Sequence, residues 1–102
     1  MPVRAVAINA RAGREIRQAF RWYARRSQSA GQRFQAAFNG LIQRVASVAE
    51  QGAPYGQRYR WMRLPRFPYL LYYEIRDPHP VLIYALAHVG RRPGYWLRRT
   101  RP

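Results

Sequence analysis

The spacing of apolar residues changes half-way along this chain, and this change constrains the fold more than any other feature. Before Gly52 the apolar side chains recur every three or four positions, as on one face of an α-helix. After Gly56 they alternate or run together, as in β-strands. The 102 residues suffice for one domain and are too few for two ordinary ones. We therefore predict a single α+β domain over residues 1–102.

The first half predicts a short strand followed by a helix. Val3–Ile8 is rich in apolar residues and indicates a strand, and Asn9 is a suitable N-cap for a helix over Ala10–Ser27. The apolar stripe of that helix consists of Ile16, Phe20 and Tyr23. Its opposite side is basic and carries Arg11, Arg14, Arg17, Arg21 and Arg25. This basic side is either a solvated helix face or a contact strip for a polyanion.

A second helix is predicted from near Ala30 to the segment that contains Gly52 and Pro54. Ser29 and Gln32 match the S-x-x-Q capping box, which marks a helix N-terminus. The apolar positions then follow a spacing of 4, 3, 4 and 3, and they are Phe34, Phe38, Leu41, Val45 and Val48. Two adjacent amphipathic helices joined by a short turn predict a helical hairpin.

The second half predicts three strands, over Gln57–Leu64, Tyr69–Arg76 and Val81–His88. In the middle strand Tyr69, Leu71, Tyr73 and Ile75 share one face, and Leu70, Tyr72 and Glu74 share the other. The run from Asp77 to Pro80 indicates a turn. Gly90–Pro102 is a basic tail whose residues 97–102 are expected to be flexible. The order β-α-α-β-β-β predicts an N-terminal strand and a helical hairpin packed on a mainly antiparallel sheet.

The charge of the chain indicates a polyanionic partner. All 19 basic residues are arginine and only 4 are acidic, so the formal net charge is +15. Because 48% of the residues are hydrophobic, the chain is not a disordered basic tail. Such a charge favours binding to nucleic acid or to an acidic protein.

Several kinds of chemistry are excluded by composition. The chain has no cysteine, which excludes disulfides, thiolate metal sites and cysteine catalysis. Paired carboxylates are nearly excluded, since the acids are Glu15, Glu50, Glu74 and Asp77. His79 and His88 are too isolated to predict a metal site, and no phosphate-binding glycine loop occurs, so we expect no metal and no cofactor. Without a secretory signal or an apolar run of membrane-spanning length, we expect a cytoplasmic protein with no membrane partner.

With these kinds of site excluded, the arginine and aromatic residues are the candidates for function. The candidate binding residues lie around the predicted sheet and its tail, and they are Arg58, Arg60, Arg63, Arg66, Arg91, Arg92 and Trp96. Arginine can hold a phosphate with two hydrogen bonds, and aromatic rings can stack on bases. Tyr95 and Trp96 are more simply explained as residues that pack the tail onto the sheet.

Three segments together resemble the RelE/ParE superfamily of toxins, and ParE-type toxins most closely. The run Arg66–Ile75 is similar to their strand with the pattern RRFPY…YY. Val81–His88, followed by Arg91, Pro93 and Trp96, is similar to their last strand and its continuation. Trp22-Tyr23, and then Gly31 and Phe34, match the spacing WY…G..F. The resemblance covers about residues 3 to 99 and implies the fold predicted above.

The resemblance also implies a function, which differs between the two branches of the superfamily. It implies a toxin of a type II toxin–antitoxin (plasmid stabilisation) system, in hetero-oligomeric complex with a cognate acidic antitoxin. RelE-like members cut mRNA on the ribosome, and ParE-like members block DNA gyrase. Where the ribonucleases have an arginine after the Pro-Tyr pair this chain has Leu70, and their C-terminal tyrosine aligns with Leu97. We therefore expect a ParE-like protein that inhibits gyrase by binding.

Two alternatives remain open. The first is a ribosome-dependent endoribonuclease that uses Arg63, Arg91, His88 and Tyr95. The second is a non-enzymatic protein that binds nucleic acid through its arginines.

Overall fold

The computed structural model describes residues 3–76 and 80–100. Its elements in chain order are β1 (Val6–Ile8), α1 (Ala10–Arg26), α2 (Gln28–Val48), a 3₁₀ turn (Ala49–Gln51), β2 (Ala53–Tyr55), β3 (Tyr59–Arg63), β4 (Tyr69–Ile75), β5 (Val81–His88) and a second 3₁₀ turn (Leu97–Thr100). The turn predicted at Asp77–Pro80 and the side chain of His79 fall on residues 77–79, outside the described residues. The flexibility expected of residues 97–102 stays a prediction.

The helical hairpin forms as predicted, with a tighter connection. The Asn9 side chain caps α1 by accepting a hydrogen bond from the Arg11 amide at 2.9 Å. The prediction that Ser29 caps the second helix is wrong. Ser27 is the cap, and its hydroxyl accepts from the Ala30 amide at 2.9 Å. Because Ser27 has an extended backbone, with φ −165° and ψ 152°, this single residue separates the two helices.

The sheet has five strands in the order β1-β5-β4-β3-β2. β1 is parallel to β5, and the other three pairings are antiparallel. This confirms the α+β fold with a mainly antiparallel sheet. The short β2 is an additional edge strand, in which Pro54 lies opposite Arg60. Proline is tolerated there because an edge strand leaves one row of backbone groups unpaired.

Each face of the sheet carries its own apolar cluster. On the helix side, the predicted stripe of α2 is buried against strand residues such as Leu71, Tyr73 and Ile83. On the opposite side, Tyr72 packs with Tyr84, Ala85, Ala87 and Trp96. The predicted alternation along β4 is therefore confirmed. A register shift between Tyr72 and Tyr73 places Tyr84 and Ala85 on the same side of β5.

The two helices approach closely at Gly31. A Cβ atom on this residue would lie 3.0 Å from the Cα atom of Ala24 on α1. Close to this point the ring of Tyr23 stacks on that of Phe34, with centroids 5.4 Å apart. The glycine and the aromatic pair therefore fix how α1 lies across α2.

Candidate functional site

A cleft of about 460 Å³ opens between α1 and the neighbouring ends of β4 and β5. We call it the helix–sheet cleft. Its lining residues are Glu15, Gln18, Ala19, Trp22, Tyr23, Pro68, Tyr69, Leu86, His88, Arg91 and Tyr95. Its volume is in the range of pockets that bind small molecules or an anchoring side chain, roughly 300–1,000 Å³.

Glu15 occupies the inner end of the cleft, and its carboxylate is fully engaged. It accepts hydrogen bonds from the Tyr95 hydroxyl at 2.6 Å and from the Leu86 amide at 3.1 Å. Both terminal nitrogens of Arg99 also donate to it, at 2.9 and 3.0 Å. With four hydrogen bonds on two oxygens, this carboxylate joins α1, β5 and the tail.

Tyr95 and Arg99 are held in fixed protonation states by this network. Burial raises the pKa of Tyr95, and its hydrogen bond to Glu15 raises the pKa further. Burial alone would lower the pKa of Arg99, but the Glu15 carboxylate outweighs it and the pKa is raised. Tyr95 therefore stays a neutral donor and Arg99 stays a cation.

The outer rim of the cleft is aromatic and cationic. The guanidinium of Arg91 lies 3.8 Å from the centre of the Tyr95 ring, and that of Arg26 lies 3.7 Å from the centre of Trp22. The rings of His88 and Tyr69 are nearly perpendicular, with their centroids 5.5 Å apart. The Nδ1 atom of His88 accepts a hydrogen bond from the Gly90 amide at 3.0 Å. The Trp22 side chain, 47% exposed, presents an apolar surface at the cleft mouth.

The opposite face of the sheet is filled by the tail. Trp96 is 0% exposed. Its ring lies 4.9–6.1 Å from four tyrosine rings, those of Tyr55, Tyr59, Tyr72 and Tyr84. We call this set the tail aromatic cluster. Trp96 thus packs the tail onto the sheet.

The predicted arginines divide into those that form hydrogen bonds or ion pairs and those whose side chains are exposed. Arg58 pairs with Glu74 at 3.2 Å, and Arg60 donates to the carbonyls of Glu50 and Gly52 at 3.1 and 2.9 Å. These two brace β3 against its neighbours. The remaining predicted arginines are exposed, and they are Arg63, Arg66, Arg91 and Arg92.

The sheet register separates the residues of the predicted ribonuclease set. His88, Arg91 and Tyr95 meet at the helix–sheet cleft. Arg63 lies opposite Leu70, which packs on the tail aromatic cluster, whereas His88 lies opposite Tyr69, which packs on the helix side. Because successive residues on a strand face opposite sides, Arg63 and His88 lie on different faces of the sheet.

The family model for the ParE toxin of type II toxin–antitoxin systems, parDE, matches residues 6–93. The chain belongs to the ParE toxin family. No curated protein matches it. The chain is therefore the toxin of a type II toxin–antitoxin system, and its family implies a cognate antitoxin. The match ends at Pro93, so Tyr95, Trp96 and Arg99 lie beyond it.

Over residues 3–76 and 80–100, no cluster of three or more His, Asp or Glu side chains is placed to hold a metal ion. In the same part of the chain, no helix combines the length and apolar character needed to cross a bilayer.

Sequence reasoning singled out His88, Arg91 and Tyr95 but assigned no site role to Glu15 and Trp22, which line the same cleft. Glu15 was not singled out, because its partners Leu86, Tyr95 and Arg99 lie 71 to 84 residues further along the chain. Trp22 was singled out only as part of the family spacing WY…G..F. The one available clue was that a single acid interrupts the basic side of α1, which indicates a carboxylate with an internal partner.

Proposed function

We propose that this toxin inhibits DNA gyrase by binding it, and that an acidic antitoxin neutralises the toxin in the cytoplasm. The observation that carries the proposal is that Tyr95 and Glu15, two of the groups that could transfer a proton, are committed to the fold. The Tyr95 hydroxyl donates to Glu15, and both Glu15 oxygens are occupied. A protein with these groups engaged is suited to act by contact rather than by general acid–base catalysis.

The ribonuclease alternative is less well supported by the geometry. Its residues would have to converge on one phosphate, but Arg63 lies on the face of the sheet opposite His88. On the Arg63 face the centre of the sheet is covered by Trp96. The apolar Leu70 also stands where the resemblance places an arginine in the ribonucleases. These features favour the gyrase-binding branch.

An acidic antitoxin segment suits the surface of this toxin. The three acids in the described residues are each paired with arginine, as in Arg4–Glu50 and Arg99–Glu15 at 2.9 Å. Apart from Arg60, the described arginines that pair with no acid are exposed and therefore accessible to a partner. The helix–sheet cleft offers apolar walls beside Arg91, so a segment with an apolar side chain and flanking carboxylates gains from both burial and charge.

The gyrase proposal is tested by supercoiling of relaxed plasmid with purified gyrase and ATP. We expect the toxin to suppress supercoiling, and Arg91→Ala combined with Arg92→Ala to raise the required concentration more than tenfold. The control is Arg44→Ala combined with Arg98→Ala, which removes the same charge from two exposed positions elsewhere. Normal supercoiling at saturating toxin, together with cleavage of translated mRNA, would replace this proposal by the ribonuclease one.

The antitoxin proposal is tested by the neighbouring reading frame. We expect it to encode a short acidic protein whose co-expression restores growth and which co-purifies with the toxin. A neighbouring product that is not acidic, or that leaves growth arrested, would contradict the proposal.

A further inference from the structure

One face of α1 carries a continuous row of arginines that the fold does not use. We call it the α1 arginine strip, and it consists of Arg11, Arg14, Arg17, Arg21 and Arg25. All five side chains are exposed. Within residues 3–76 and 80–100, none of them forms a hydrogen bond or an ion pair. The strip spans about 21 Å along the helix axis and an arc of about 120° around it, at 1.5 Å and 100° per residue.

The positive field of the strip is not neutralised by its own helix. Glu15 is the single acid in α1, and its carboxylate points into the fold, where Arg99 and Tyr95 engage it. The first turn of the helix contains no acid. Like charges three and four positions apart repel, so the isolated helix is disfavoured by its own strip. A polyanion laid along the strip would relieve that repulsion.

We propose that the α1 arginine strip binds the phosphate backbone of duplex DNA, independently of any action on gyrase. Between Arg11 and Arg25 the other side chain inside the arc of the strip is that of Gln18, and the exposed Trp22 lies about 20° outside the arc, at 100° per residue. Exposed ion pairs alone contribute little to holding a peptide, whereas a polyphosphate backbone gains from the release of its condensed counterions. An acidic peptide therefore fits the helix–sheet cleft better than the strip.

The shape of the strip favours a duplex over a single strand. Single strands bind in grooves where bases stack on exposed aromatic rings. The strip is instead the convex side of a helix, and the nearest ring, that of Trp22, is covered on one face by Arg26. The major groove of DNA is about 12 Å wide and admits an α-helix. Side chains spread over an arc of about 120° can then reach phosphates on both strands.

The test is fluorescence anisotropy of a labelled 20-base-pair duplex of mixed sequence, titrated with the full chain at several salt concentrations. We expect Arg14→Gln combined with Arg21→Gln to weaken binding more than tenfold. The slope of log affinity against log salt should fall by about 1.8, because each lost phosphate contact removes about 0.9. Arg14→Lys combined with Arg21→Lys should retain most of the affinity, since lysine also binds phosphate.

The control removes the same charge elsewhere, through Arg44→Gln combined with Arg98→Gln, and should change affinity less than threefold. Equal loss of DNA affinity in both double variants would overturn the proposal, because it would show that affinity depends on net charge and not on the strip. Tighter binding of a labelled single strand, or of a labelled glutamate-rich peptide at the strip, would also overturn it. Since the assay contains no gyrase, its result is independent of the supercoiling experiment.

Discussion

At the scale of single residues, the carboxylate of Glu15 links α1 to β5 and to the tail. The side chains of Glu15 and Arg99 are 16% and 11% exposed, so their ion pair is largely shielded from water. We expect Glu15→Gln to lower the free energy of unfolding by about 3 kcal/mol, because it leaves the Arg99 cation buried without a counter-charge. Denaturant unfolding measures this change.

The matched control is Glu50→Gln. Glu50 also pairs with an arginine, Arg4, at 2.9 Å, but its side chain is 62% exposed. Water already solvates that carboxylate, so we expect little change in stability. Equal losses in the two variants would contradict the role assigned to Glu15.

Trp96 gives a second prediction at this scale. Its indole is fully buried among four tyrosine rings, and we expect Trp96→Ala to cost about 3–5 kcal/mol of unfolding free energy. Trp22→Ala is the comparison, since Trp22 is 47% exposed and should cost much less. Thermal unfolding followed by circular dichroism distinguishes the two, and a similar midpoint for both variants would show that the tail does not stabilise the sheet.

The site was only partly predictable, for a physical reason visible in these residues. Arg91 and Tyr95 could be singled out because they are close in sequence and chemically suited to phosphate or base contacts. Glu15 could not, because only the folded chain brings it to Tyr95 at 2.6 Å. The sequence likewise could not show that Arg63 and His88 lie on opposite faces of the sheet, because that depends on the strand register.

At the scale of elements, the packing of α1 on α2 depends on one glycine. A Cβ atom at Gly31 would lie 3.0 Å from backbone and side-chain atoms of Ala24, whereas one at Gly40 would meet nothing within 4 Å. We expect Gly31→Val to lower the unfolding free energy by about 1–3 kcal/mol through overpacking, and Gly40→Val to be nearly neutral. Urea unfolding of both variants checks this, and a stable Gly31→Val variant would refute the close approach.

Elements were predicted best where hydrophobic period and turn residues agreed. Val81–His88 is continuous and apolar, and its predicted bounds match β5. β2 was missed because its three residues, Ala53–Tyr55, lie between two glycines and contain a proline, so the local signal is that of a turn. Pairing with β3 outweighs that signal. The cap of α2 was misplaced for a similar reason, since Ser27 and Ser29 are both acceptable caps in sequence.

At the scale of the whole molecule, buried tyrosines make stability depend on alkaline pH. Burial raises the pKa of Tyr73 to about 12, and it also raises the pKa values of Tyr69, Tyr72, Tyr84 and Tyr95. In the unfolded chain these hydroxyls ionise near pH 10. The folded state therefore binds its protons more tightly, so its stability is complete below about pH 10 and falls as the pH rises from there towards 12.

We expect the unfolding free energy to be level from pH 7 to 9 and then to fall by at most about 1.4 kcal/mol per pH unit for each tyrosine that stays neutral in the fold. Denaturant unfolding between pH 7 and 11.5 measures the curve, and phenolate absorbance follows ionisation in the same samples. Tyr73→Phe should make the decline shallower, because one of the titrating hydroxyls is removed even though its 2.6 Å hydrogen bond to the Ala49 carbonyl is lost. Stability that stays level to pH 11, or ionisation of all eight tyrosines near pH 10 in the folded protein, would contradict the burial of these hydroxyls.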